Sequence, residues 1–109
     1  MNRRHFGEFE QLLLYIVLHL QHAGEEANGP AIRQTIEART GRIISPGAIY
    51  TALTRLESRG FVRSALGDPT PERGGKRKRV YRLRPAGEAA LRAAHAAMDR
   101  MARLARLKA

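Results

Sequence analysis

Apolar residues recur along this chain at two periods, first a helical one and later an extended one. Phe6, Phe9, Leu13, Ile16, Val17 and Leu20 fall at helical spacing and predict a first helix from about Phe6 to Ala23. Leu12, Leu14, Tyr15 and Leu18 widen that stripe beyond one face, so the helix is expected to pack against more than one partner. Ala23-Gly24 and the polar stretch to Asn28-Gly29 end it. A second helix opens at Pro30, carries Ile32 and Ile36 on one face, and stops at Gly41.

The third helix has the clearest boundaries. Ser45 is the candidate N-cap, Pro46 the first helical residue and Gly60 the stop, with Ile49, Leu53 and Leu56 as the buried stripe. Two strands follow, Phe61 to about Leu66 and about Arg79 to Arg84. Between them, Gly67 to Lys78 is dense in turn formers and predicts a hairpin with a long tip. A last helix runs from Pro85 to near the end. Its Leu91, Ala94, Met98, Met101 and Ala105 alternate three and four apart, a short heptad seam.

The order is three helices, strand, basic loop, strand, helix. That is a mainly α fold with a small β component, a winged helix-turn-helix followed by a C-terminal dimerisation helix. Residues 1–109 are expected to form one domain, with the winged helix over about 6–84 and the dimerisation helix over about 85–109.

Charge sharpens this picture. The chain has 20 Lys and Arg against 10 Asp and Glu, a formal net charge of +10. A polyanionic partner is implied, and nucleic acid is the commonest. The excess is concentrated: no acidic residue interrupts Arg73 to Arg84. Like charges crowded in one loop repel until an anion neutralises them, so the wing is assigned to DNA phosphates or the minor groove through Arg73, Gly74, Gly75, Lys76, Arg77 and Lys78.

The second helix of a helix-turn-helix enters the major groove. Removing its buried stripe leaves Ser45, Gly47, Ala48, Tyr50, Thr51, Thr54, Arg55 and Ser58 facing outward. Ala48, Tyr50, Thr51, Thr54 and Arg55 are ranked highest for base contact, since small side chains allow close approach and methyls meet thymine. Amides at Pro46-Gly47-Ala48 are expected to hold a phosphate.

Dimerisation is assigned to the surplus apolar surface of the first and last helices: Phe9, Leu13, Leu91, Ala94, Met98, Met101 and Ala105. A two-fold dimer would present two recognition helices to a pseudo-palindromic site. The same surplus could line a pocket for a small hydrophobic effector at the dimer interface.

Other chemistry is thin. There is no cysteine, hence no disulfide or thiolate metal site. His19 and His22 with Glu25 and Glu26 make too sparse a ligand set, so no metal and no cofactor is expected. No nucleophile lies near an obvious base, so an enzyme is not expected. The longest apolar run, Leu12 to Leu18, is too short to span a bilayer, and the basic start followed by Glu8 and Glu10 does not read as a signal peptide. The reading is of a cytoplasmic protein without a membrane partner.

Two stretches carry a family resemblance. Ser45-Pro46-Gly47-Ala48-Ile49-Tyr50-Thr51-Ala52-Leu53-Thr54-Arg55-Leu56-Glu57-Ser58-Arg59-Gly60 resembles the recognition helix of the PadR family. Glu72-Arg73-Gly74-Gly75-Lys76-Arg77-Lys78-Arg79-Val80-Tyr81-Arg82-Leu83 is similar to that family's wing, and Pro85-Ala86-Gly87 to the start of its last helix. The resemblance implies a dimeric, cytoplasmic transcriptional regulator, usually a repressor, binding duplex DNA. It also implies control of efflux or detoxification genes and, in some members, release by drug-like or phenolic ligands. The single short C-terminal helix is similar to the smaller subfamily. Thr51 stands where many members have Pro, Asn28-Gly29 where many have Tyr-Gly, and Arg84 where Thr or Ser commonly caps the last helix. The chain has no Trp with which to sandwich a planar ligand.

Overall fold

A computed structural model describes residues 7–68 and 77–108. The elements are α1 (Glu8–His22), α2 (Gly29–Thr40), α3 (Pro46–Ser58), β1 (Val62–Leu66), β2 (Arg79–Leu83) and α4 (Pro85–Leu104). Helix α1 begins after an extended Gly7, whose backbone N–H donates to Glu10 Oε1 at 3.1 Å. Glu8 and Glu10 suit the positive end of the helix dipole. Helix α2 starts at Gly29, one residue before Pro30, because the Asn28 side chain accepts from Ala31 N–H and so sets the cap. Gly41 ends α2 at a φ of 75°, a conformation that suits glycine.

The core lies where α1, α2 and α3 meet the inner face of the sheet. Leu13, Leu14, Val17, Ile32, Ile36, Ile49, Leu53, Leu56 and Val62 are its largest fully buried side chains. Burying each contributes about 1.5–3 kcal/mol. Strands β1 and β2 are antiparallel, with Val62 opposite Leu83, Arg63 opposite Arg82 and Ser64 opposite Tyr81. Val62 and Tyr81 point inward, while Arg63 and Arg82 are exposed. The other edge of β2 is also occupied. Tyr81 N–H donates to the Ala27 carbonyl at 2.9 Å, Leu83 N–H donates to Gln21 Oε1 at 2.6 Å, and Asn28 bridges to Val80. The sequence pattern does not reveal this third member, because two residues are too few for an alternation. Phe61, expected to open β1, lies just before it, and its carbonyl accepts from Arg84 N–H at 2.9 Å.

The first and last helices correct part of the dimer assignment. Leu13 is fully buried and Leu91 is 4% exposed within the chain's own core, so neither has surface left for a second chain. Leu14 also turns into the core, and Phe9, Leu12, Leu18 and Ala94 pack against it partly buried. The surplus on α1 is thus largely covered by α4 and the sheet of the same chain. What stays exposed is Tyr15 on α1, at 42%, and a larger set along α4: Met98 at 61%, Met101 at 51% and Leu104, with Ala105 and Leu107 exposed just past its end.

Candidate nucleic-acid interface

Helix α3 presents a continuous outward face. Ser45, Gly47, Ala48, Tyr50, Thr51, Thr54, Arg55 and Ser58 are all exposed, while Ile49, Ala52, Leu53 and Leu56 are buried. The division follows from the 3.6-residue repeat, with Ala52 joining the expected stripe. Ser45 Oγ accepts from Ala48 N–H at 3.1 Å and caps the helix. This narrows the anion-holding amides expected at the helix start. Ala48 N–H is taken by that cap and proline has none, which leaves the amide of Gly47.

Tyr50 does not project freely. Its ring lies across the start of α2, where a Cβ built on Gly29 would come within 2.7 Å of the Tyr50 hydroxyl oxygen. The α2–α3 turn is tied to α1 by Arg42 Nη1 and Glu8 Oε1 at 3.1 Å. Beyond α3, Arg59 Nη1 meets Glu10 Oε1 at 3.4 Å, and the Arg59 guanidinium lies 4.8 Å from the Phe61 ring centroid. The first turn of α1 therefore grips the helix-turn-helix at both ends of α3.

The base of the wing follows β1, the strand that packs against α3. Gly67 N–H donates to the Lys78 carbonyl at 2.7 Å, and Arg77 Nε donates to the Gly67 carbonyl at 2.8 Å. Arg77, expected to face phosphate, therefore also braces the loop with one of its nitrogens. Lys78 is exposed. Arg73, Gly74, Gly75 and Lys76 lie outside the described residues.

One contact has no counterpart in the sequence reading. Glu57, in the last turn of α3, accepts from Ser64 N–H at 3.0 Å, and the Ser64 hydroxyl lies 2.9 Å from each carboxylate oxygen. A glutamate near a helix end carries no sequence signal of such a tie. Tyr81, buried beneath, has its hydroxyl pKa pushed above the ordinary tyrosine value, first by burial and then by the negative charge of Glu57. Among the described residues, no three His, Asp or Glu side chains are grouped to hold a metal ion, and no helix is long and apolar enough to cross a membrane.

The transcriptional regulator PadR-like family model matches residues 17–93, from mid-α1 through the helix-turn-helix and wing into α4. The chain belongs to the PadR-like family of transcriptional regulators. It is accordingly a regulator and not an enzyme. The chain is 38% identical over 88 residues to the transcriptional regulator Rv3488 of Mycobacterium tuberculosis, covering 79% of this chain and 78% of that protein. The fold matches a PadR family transcription regulator from Clostridium difficile with a TM-score of 0.71 at 20% identity, covering 90% of this chain and 94% of the other. It also matches Bacillus subtilis PadR, solved in complex with operator DNA, with a TM-score of 0.62 at 19% identity. That match covers 77% of this chain but only 44% of the Bacillus protein.

Proposed function

We propose that this PadR-like protein represses transcription by binding a pseudo-palindromic operator as a homodimer, with α3 in the major groove and the wing on phosphates. The observation that carries the reading is the outward face of α3. It is lined by small, hydroxyl-bearing and cationic side chains from Ser45 to Ser58, and β1, the strand that leads into the basic wing, packs against the same helix. Base edges specify and phosphates position, so Ala48, Tyr50, Thr51, Thr54 and Arg55 are assigned to the first task. Gly47 and Lys78 take the second, with Arg73, Lys76 and Arg77 added from the sequence. That the Bacillus subtilis relative was solved on operator DNA supports duplex DNA as the partner.

The chain acts as one winged-helix domain with α4 as its dimerisation helix. Met98 and Met101, exposed on α4 beyond the last core contact at Ala94, support this role. A Met98→Glu, Met101→Glu variant that sediments like the wild type would remove α4 from the dimer seam.

The test of DNA binding is a titration of the region upstream of the chain's own gene against random duplex, at several salt concentrations. Six phosphate contacts give a log–log slope of about −5. Equal affinity for both duplexes defeats sequence-specific regulation, and no binding to either defeats the DNA reading altogether.

A further inference from the structure

Glu57 occupies a position that helix electrostatics disfavours. It lies in the last turn of α3, where the dipole presents its negative end. Ser64 offsets this with two donors, its amide at 3.0 Å and its hydroxyl at 2.9 Å. The same hydroxyl oxygen accepts from Arg79 Nη1 at 3.2 Å. Among the described residues, no cation pairs directly with Glu57. The path therefore runs from the recognition helix through β1 to Arg79, the first residue of β2 after the wing.

The inward positions of β1 show why this path matters. From base to tip they are Val62, Ser64 and Leu66. Val62 is fully buried, Ser64 half-buried, and Leu66 49% exposed. The Glu57–Ser64 contact is thus the last tie between this strand's inward face and α3 before the wing. Without it the inward side chains of β1 reach the core only at Val62, and the outer part of the strand is held through its pairing with β2.

We propose that Glu57, acting through Ser64 and Arg79, is a positioning residue that fixes the angle of the β1–β2 hairpin, and with it the base of the wing at Lys78, to the recognition helix. Base contacts from α3 and phosphate contacts from the wing then engage one duplex together. The inference rests on the DNA-binding reading above. Two contact groups held on one rigid body bind with a high effective concentration, whereas a loose wing must be ordered during binding.

The test is a double-mutant cycle on duplex DNA, read as salt slope and affinity. Lys78→Ala removes one wing cation, and Ser64→Ala removes the hydroxyl that links Glu57 to Arg79 without changing charge, leaving only the Ser64 amide on Glu57. In the wild-type background, Lys78→Ala reduces the magnitude of the slope by about 0.9, one phosphate contact. Ser64→Ala alone reduces it by at least as much, and adding Lys78→Ala then has little further effect. Glu57→Gln behaves like Ser64→Ala even though it makes the protein more positive.

A purely structural tie gives a different result: lower melting temperatures, unchanged slopes and additive effects. That outcome overturns the proposal, as does a steeper slope for Glu57→Gln with an additive cycle, which would make its charge alone responsible. A wild type that binds no duplex defeats the DNA reading instead, so the two failures are distinguishable.

Discussion

The hydroxyl of Tyr50 rests against the backbone of Gly29. A Cβ on Gly29 would lie 2.7 Å from the hydroxyl oxygen and 2.8 Å from the ring carbon Cζ. Tyr50 is 44% exposed, so its ring fills a gap at the start of α2 while its edge stays open to the α3 face. Alanine suits a helix better than glycine, by up to about 1 kcal/mol. Gly29→Ala is therefore expected to keep or raise the melting temperature while swinging Tyr50 outward. Binding to a panel of duplex sequences should shift as it does for Tyr50→Ala. A variant with wild-type preference would show that this contact does not place Tyr50.

Gly87 faces a harder limit. A Cβ there would lie 2.1 Å from the Phe61 carbonyl oxygen, and that carbonyl is already held by Arg84 N–H at 2.9 Å. Backbone on both sides leaves no flexible side chain to move aside. Gly87→Ala is expected to destabilise the fold by about 1–3 kcal/mol or more, as overpacking does. The urea midpoint measures this, and an unchanged midpoint contradicts the close approach of α4 to Phe61.

Arg84 caps α4 without a side-chain hydrogen bond, and its charge opposes the helix dipole. Arg84→Ser is expected to stabilise the protein by about 1 kcal/mol, since its backbone is already extended as an N-cap requires. Thermal unfolding of the two proteins at matched salt decides it, and a lower melting temperature for the serine variant refutes it.

The raised pKa of Tyr81 predicts an alkaline effect. Above about pH 10 the unfolded chain loses the tyrosine proton while the folded state keeps it. Stability that is fully present below that pH is therefore lost as pH rises through the folded pKa. Relative to Tyr81→Phe, wild-type unfolding free energy should run parallel below pH 10 and fall away above it. Parallel curves throughout the alkaline range would contradict the burial of this hydroxyl.

Much of the fold is legible because its signals are local. Ser45 caps α3 through an amide three residues on, Asn28 does the same for α2, and Gly41 turns the chain with a positive φ. Each interaction closes within one turn of helix, so residue type and spacing suffice to predict it. The outward face of α3 is legible for the same reason, since removing Ile49, Leu53 and Leu56 leaves the exposed set.

By itself, then, the sequence determined the elements, their faces, the basic wing and the family. Only the tertiary structure decided which apolar surface is covered and by what. A period shows that Leu13 and Leu91 lie on apolar faces, but not that one chain buries both and leaves Met98 and Met101 exposed. Nor does it place Tyr50 against Gly29, or join Glu57 to Ser64 and Arg79. These contacts depend on how helices and strands approach one another in space, and hydrophobic burial drives that approach without direction. The precise pairings emerge only when close packing brings distant side chains within hydrogen-bond reach.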